Sequence, residues 1–394
     1  MRIKLMGIVL ALGVATGTGA FGEDSIKIGW PNSFSPPGNV IGAREAKVGG
    51  EIALDLFKEQ YGSKIAGRDI EIIFEDTKGD PEGARSAMEK LINKDHIDAA
   101  AGCNHSSEGF VISRLAHEGK TPVVLMNCWS DDIRNQKFDE VFATSNYTSR
   151  TSFAVTGFIK TVSAKTFVIL AENTDFGTGQ AKMIQDDLKK EVPNCQVTIK
   201  VINKTSRDMR DEMIALKQNP PDVIGVAMTA PQGFLATSQM DEVGLAPTAK
   251  SKVIDIGGYT DQQGFWAAVK DSGVGQYGYV LDHNAIPVTE LGKKVQAEYK
   301  KRTGQVTTKF SLQGFDATWA VLMAVKDSQA KSKEATIASL RKLRVGGSRA
   351  EIYFANQPLW QQWTDIPFVV VQMEKVGQPT SEAKVVFPAN LASK

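Results

Sequence analysis

Short β-rich runs alternate with amphipathic helical stretches from Ser25 to about Ala285, and this alternation restricts the chain to a parallel α/β architecture. Ser25–Pro31 (SIKIGWP) precedes a helical stretch near Ile41–Gln60, and Ile70–Glu75 (IEIIFE) leads into Pro81–Asn93. In that helix Ala84, Met88, Leu91 and Ile92 share a face, with Asp80 as the expected N-cap and Pro81 at the first helical position. Ile97–Gly102, a helix from about Ser107 to Glu118, and Pro122–Met126 follow. The pattern then restarts with strands at Thr166–Ala171, Gln196–Ile202, Asp222–Met228 and Lys252–Ile256, and helices near Gly179–Lys190, Arg207–Lys217 and Pro231–Val243. A chain of 394 residues is too long for one ordinary domain, so two similar α/β domains are expected, with tail strands near Phe368–Gln372 and Lys384–Phe387 returning to one of them. Two such domains face each other with the carboxyl ends of their strands, where ligands bind in this architecture.

Residues 1–22 read as a signal peptide. Arg2 and Lys4 form a basic start, Leu5–Ala15 an apolar run too short to span a bilayer, and small residues lead to Ala20 and Gly22. No cysteine lies near that junction, so no lipid anchor is expected, and no later segment has the apolar length of a membrane span. The chain therefore reads as exported and not membrane-embedded. Its formal charge is +1, and Arg2 and Lys4 account for the excess, leaving −1 for the rest. A near-neutral body gives no electrostatic case for nucleic acid.

The residues after the third and fourth strands are unusual. Gly102-Cys103-Asn104-His105-Ser106-Ser107 ends the third, and Asn127-Cys128-Trp129-Ser130 ends the fourth. Ser106 and Ser107 sit where a helix begins, so their hydroxyls and backbone N–H groups form an anion site or cap the helix, two compatible roles. Trp129 is either packing or an apolar ligand wall rimmed by Asn127 and Ser130. His105 reads as polar lining, because none of the four histidines has metal-ligand spacing. Cys128 has no evident base, which argues against nucleophilic catalysis. Gly177-Thr178-Gly179 reads as a tight strand-to-helix turn, since the wider dinucleotide spacing is absent. Three cysteines, Cys103, Cys128 and Cys195, leave at least one unpaired within the chain. Cys103 and Cys128 follow runs expected to be neighbouring strands, close enough for a disulfide. The alternative is a ligand-facing Cys128 thiol.

These segments resemble one family: the periplasmic solute-binding proteins of ABC importers, in the subgroup related to the leucine/isoleucine/valine-binding protein. The likeness rests on IKIGWP, IAGRDIEIIFEDTKGDPEGARSAMEKLI, AAAGCNHSSEGF, TPVVLMNCWS, FVILAENTDFGTGQ and LQGFDATWAVLMAV, and it covers nearly the whole chain after residue 22. It implies two Rossmann-like lobes joined by three crossovers and closing around a ligand. The N-terminal lobe would hold residues 23–145 and 283–358, and the C-terminal lobe 146–282 and 359–394. By the same resemblance, Ser106 and the Asn127–Ser130 turn would hold a ligand carboxylate. Asn146 and Tyr147 would contribute at the start of the second lobe, and Thr229, Ala230 and Tyr259 at its strand ends.

The chain also departs from the family pattern. Amino-acid binders of this family place an acid on the second lobe to meet the ligand ammonium. Here that stretch reads Gly257-Gly258-Tyr259, flanked by Asp255 and Asp261, and Asn-Cys-Trp replaces small residues after the fourth strand. A carboxylate or amide without an α-ammonium fits at least as well as an aliphatic amino acid. The expected function is a monomeric, cofactor-free receptor delivering a small molecule to an inner-membrane ABC permease, or alternatively an extracytoplasmic sensor of the same fold. A secreted hydrolase is disfavoured, because the chain has no GxSxG elbow, metal motif or arranged triad.

Overall fold

The computed structural model describes residues 25–392; the signal-peptide reading falls outside them. Two sheets carry the fold. The first has six strands in the spatial order Lys64–Ile65, Arg68–Asp76, Ile26–Asn32, Ala99–Gly102, Val123–Leu125 and Val141–Ala143. All its pairings are parallel except that of the two-residue edge strand. The second has seven, in the order Lys384–Phe387, Val369–Gln372, Tyr277–Val280, Lys252–Asp255, Val223–Ala227, Thr166–Glu172 and Gln196–Ile202. Its two tail strands pair antiparallel, and the remainder is parallel. The central strands Ala99–Gly102 and Val223–Ala227 are buried throughout, as expected of parallel strands covered on both faces.

Local chemistry sets the helix starts. The Asp80 side chain accepts from Gly83 N at 2.8 Å with Pro81 behind it, as the sequence predicts. The helix expected near Gly179 begins earlier, spanning Asp175–Glu191, because the Thr174 hydroxyl accepts from Gly177 N at 3.1 Å. Gly177-Thr178-Gly179 thus forms helix rather than the turn before it.

The chain passes between the sheets three times. After Val141–Ala143 it enters the helix Thr148–Val162, which packs on the second sheet. After Tyr277–Val280 it returns through the helices Glu290–Thr303, Lys309–Asp327 and Lys333–Lys342, which pack with the first. It then crosses again to reach the tail strands. The first and third crossings lie side by side: Gln361 Nε2 donates to Val141 O at 2.8 Å, and Gln362 Nε2 to Ser145 O at 2.7 Å.

Helix Lys309–Asp327 crosses helix Val40–Tyr61 so closely that a side chain at either glycine would strike backbone. A Cβ on Gly49 would lie 1.9 Å from Ser311 O, and one on Gly314 would lie 2.2 Å from Ala46 O. That crossing sets Glu45 beside the first turn of the later helix, at the level of the cleft.

Candidate functional site

Five strand ends converge on one small interlobe cavity. The first lobe supplies Asn104, His105 and Ser106 after the third strand and Asn127 and Trp129 after the fourth. The second lobe supplies Phe176, Thr229 and Gly257. As closed, the cavity encloses about 20 Å³, room for about one water molecule. A wider chamber of about 570 Å³ adjoins it, lined by Pro36, Val40 and Ile41 on one side and by Ala230, Pro231 and Leu235 on the other. Asn39 also lines this chamber, and its N–H donates to His105 Nε2 at 3.0 Å, so the two spaces share a wall.

The polar residues of the inner wall hold one another. Trp129 Nε1 donates to Asn127 Oδ1 at 2.7 Å, and Asn127 Nδ2 to Asn104 Oδ1 at 2.6 Å. Asn104 Nδ2 in turn donates to Asn39 O at 3.2 Å. Because His105 Nε2 accepts, that ring is neutral, and burial together with the charge of Lys204 pushes its pKa well down. It acts as a fixed polar wall.

Ser106 opens the helix Ser106–Glu118 but does not cap it. The cap is His105, whose N–H donates to Glu108 Oε2 at 2.7 Å, as does Asn104 N at 3.3 Å. Ser106 Oγ instead accepts from Ser130 N at 3.1 Å, tying the two first-lobe loops together. Burial raises the Glu108 carboxyl to about 7. This carboxyl spends N–H groups that an anion would use, so the helix start is a weaker anion site than its sequence implies.

Trp129 is only 2% exposed and belongs to the largest hydrophobic cluster while also facing the cavity. Its ring meets Phe176 edge-on at 5.7 Å and Tyr279 at 6.0 Å. Its backbone is clamped: the buried Arg134 donates to Cys128 O at 2.6 Å and to Trp129 O at 3.0 Å. Cys128 is joined to Cys103 by a disulfide with Cα atoms 6.3 Å apart, so it presents no thiol to a ligand, and Cys195 is the buried free cysteine.

Other residues expected at the site lie elsewhere. Ser107 and Ser130 are absent from the cavity wall, Ser130 being engaged through its N–H. Asn146 is buried at the first crossing, donating to Thr151 Oγ1 at 2.7 Å and accepting from the Tyr279 hydroxyl at 2.9 Å. Tyr147 precedes the helix Thr148–Val162 and is off the wall. Tyr259 is in the second-lobe core: its ring packs on Phe234 and Phe265, and its hydroxyl accepts from Gln276 Nε2 at 2.6 Å. Asp255 turns the loop this way, accepting from Gly258 N at 2.7 Å and from Thr260 N and Oγ1 at 2.8 Å. Thr229 does reach the wall, donating through N and Oγ1 to Glu172 Oε2 at 2.8 and 3.0 Å.

The residue that sequence reasoning missed is Lys309. It starts the first-lobe helix, is fully buried, and reaches across the cleft. Its Nζ donates to Gly257 O at 3.0 Å and lies 4.4 Å from the centre of the Trp129 ring. Its backbone N–H donates to Asp261 Oδ2 at 2.6 Å. Gly258 makes room for it, with φ at +72° and space for no Cβ, which would lie 1.7 Å from Nζ. Glu45 completes the junction, accepting from Gln263 N of the second lobe and from Thr308 Oγ1 of the first, both at 2.7 Å. Burial lowers the lysine to about 8 and raises Asp255 to about 6, Asp261 to about 7 and Glu45 to about 8. Gln263 Nε2 donates to the Tyr299 hydroxyl at 2.8 Å, and Lys204 Nζ to Gly79 O at 3.1 Å, giving further bonds between the lobes.

Among the described residues, no group of three or more His, Cys, Asp or Glu could hold a metal ion, and no helix is long and apolar enough to cross a membrane.

Comparison with known proteins agrees with this geometry. The profile of the family described as periplasmic binding protein matches residues 25–375. A Leu/Ile/Val-binding protein homolog 6 from Brucella abortus (strain 2308) is 24% identical over 131 residues, which is 33% of this chain and only 30% of the relative's length. Among solved structures, the branched-chain amino acid transporter substrate binding protein of Streptococcus pneumoniae, in complex with isoleucine, superposes with a TM-score of 0.80. It is 18% identical, with 93% of this chain and 100% of that one covered. A solute binding protein of an ABC transporter from Rhodopseudomonas palustris BisB5, in complex with 3,4-dihydroxybenzoic acid, superposes with a TM-score of 0.77. It is 21% identical, with 90% and 94% covered. At these identities the structural likenesses speak for the fold.

Proposed function

The chain belongs to the periplasmic binding protein family, and on that premise we propose that it is an extracytoplasmic receptor that captures a small molecule between its lobes and delivers it to an inner-membrane ABC permease. The observation that carries the reading is the convergence of five strand ends, from both lobes, on one cavity. A ligand that touches both walls stabilises the closed form over the open one, so binding shifts the population towards closure. The permease then reads the closed form. In this reading the lobes are residues 23–145 with 283–358 and 146–282 with 359–394, hinged at the three crossings, and the receptor works as a periplasmic monomer.

The walls favour a ligand with a polar head and an apolar body. The inner end is lined by amides, His105 and the Ser106 hydroxyl beside the Trp129 and Phe176 rings, and the outer chamber mostly by proline and aliphatic side chains, with Thr205, Ser206, Arg207 and Gln232 at one side. Mass spectrometry of the co-purifying small molecule, followed by X-ray scattering with and without it, tests the reading. A contraction on binding is expected, and a scattering radius unmoved by a bound ligand refutes closure. Ser106→Ala, which removes a hydroxyl from the wall, is expected to weaken binding of an anionic ligand by about 10- to 150-fold in isothermal titration. Unchanged affinity would remove Ser106 from the site.

A further inference from the structure

We infer that Lys309 is the cleft's fixed counter-charge, and that the receptor selects carboxylates lacking an α-ammonium group. The inference rests on the receptor reading and names its ligand class.

Three observations converge on Lys309. First, its ammonium is wedged behind two wall residues, Trp129 and Gly257, and of its three N–H groups one is engaged, by the Gly257 carbonyl, so it lies one residue layer from the cavity with hydrogen-bonding capacity left. Second, the acids around the cleft are already spent. Both oxygens of Asp255 accept from the 258–260 loop, and those of Asp261 from Thr380 Oγ1 and Lys309 N. Both oxygens of Glu172 accept, from Thr174 and Thr229, and both of Glu45 from Gln263 and Thr308. An incoming ammonium would have to share these carboxylates with donors already in place and would sit near the lysine's own positive charge. Third, the helix start at Ser106 has its dipole offset by Glu108, so the positive pole for an anion has to come from elsewhere. Burial strengthens whatever charge pairing the lysine makes. The Trp129 and Phe176 rings beside it supply a surface for a flat or branched apolar body.

Two matched pairs of probes decide the matter in isothermal titration at neutral pH: 3,4-dihydroxybenzoate against 3,4-dihydroxybenzamide, and 3-methylpentanoate against isoleucine. The wild type is expected to bind the acid of the first pair at least about 10-fold more tightly than its amide, and 3-methylpentanoate more tightly than isoleucine. Lys309→Met keeps the apolar stem and removes the charge. It is expected to lose about 10- to 150-fold in carboxylate affinity while changing amide affinity little. Isoleucine binding more tightly than 3-methylpentanoate overturns the inference and leaves the receptor reading standing. A folded Lys309→Met that binds the carboxylates as tightly as wild type also overturns it. If that variant does not fold, the wild-type pairs decide alone. Failure of all four probes to bind overturns the inference, and the receptor reading falls with it only if no small molecule co-purifies with the protein.

Discussion

Replacing Glu45 with Gln measures what the buried acid at the lobe junction does to stability. Its carboxyl is held between Gln263 N–H and the Thr308 hydroxyl, and burial raises its pKa from the usual 4.5 to about 8. The folded state thus holds this proton more tightly than the unfolded chain. Below about pH 4.5 both states are protonated and nothing is lost. As pH rises the unfolded chain ionises first, so stability falls until the folded pKa near 8 is reached. At ~1.4 kcal/mol per pK unit the whole window is worth on the order of 5 kcal/mol. Gln stays neutral and can mimic the protonated acid, its carbonyl accepting from Gln263 N–H and its amide donating to the Thr308 hydroxyl. Glu45→Gln is therefore expected to come within about 1 kcal/mol of wild type near pH 5 and to exceed it by about 4 kcal/mol at pH 8. Urea denaturation at pH 5, 6, 7 and 8 reads the difference directly, because the contributions of Asp255, Asp261 and Glu108 run in the same direction in both proteins and largely cancel. Parallel stability curves across that range refute the reasoning.

Two further expectations concern the first-lobe loops. Thiol titration of denatured, non-reduced protein is expected to find one thiol, that of Cys195, and a count of three would show that Cys103 and Cys128 are not bridged. Trp129→Ala is expected to cost about 3–5 kcal/mol of stability without ligand, because the side chain is buried in the largest core cluster as well as facing the cleft. An unchanged thermal midpoint would place that ring at a tolerant rim.

The alternating pattern was readable because its signals are local: apolar periodicity, Asp80 before Pro81, and continuous apolar runs for covered strands. Helix Thr148–Val162 was not singled out, because its Thr- and Ser-rich sequence has weak helix propensity, and strand Tyr277–Val280 has only four residues. The cleft was half legible. Its position follows from the rule that ligands sit at strand carboxyl ends, and five of the eight wall residues, His105, Ser106, Asn127, Trp129 and Thr229, were named from sequence. Side-chain direction did not follow from that rule. Tyr259 follows a strand end as Thr229 does, yet the Asp255 hydrogen bonds turn its loop so that the ring enters the core. Phe176 was hidden by the helix start, which the Thr174 cap moves upstream.

Lys309 was illegible for a different reason. Nothing in Thr308-Lys309-Phe310 marks a site, since a lysine at a helix start is ordinarily solvated and is disfavoured by the helix dipole. What makes it functional is assembled from distant parts of the chain. Gly49 and Gly314 let two helices touch, which places Glu45 at the junction. Gly258, with its positive φ, opens the space for the ammonium, and Trp129 supplies the ring beneath it. The acids then make the position tolerable: Asp261 offsets the dipole by accepting the first helical N–H, while Asp255 and Glu45 lie close enough to favour the charge. Breaking such a buried set costs more than never forming it, because the remaining charges lose their partners. Closure of this cleft therefore depends on charges contributed from both lobes. A ligand carboxylate would add a further negative charge, which Asp261, its carboxyl raised to about 7, allows the cluster to absorb by taking up a proton.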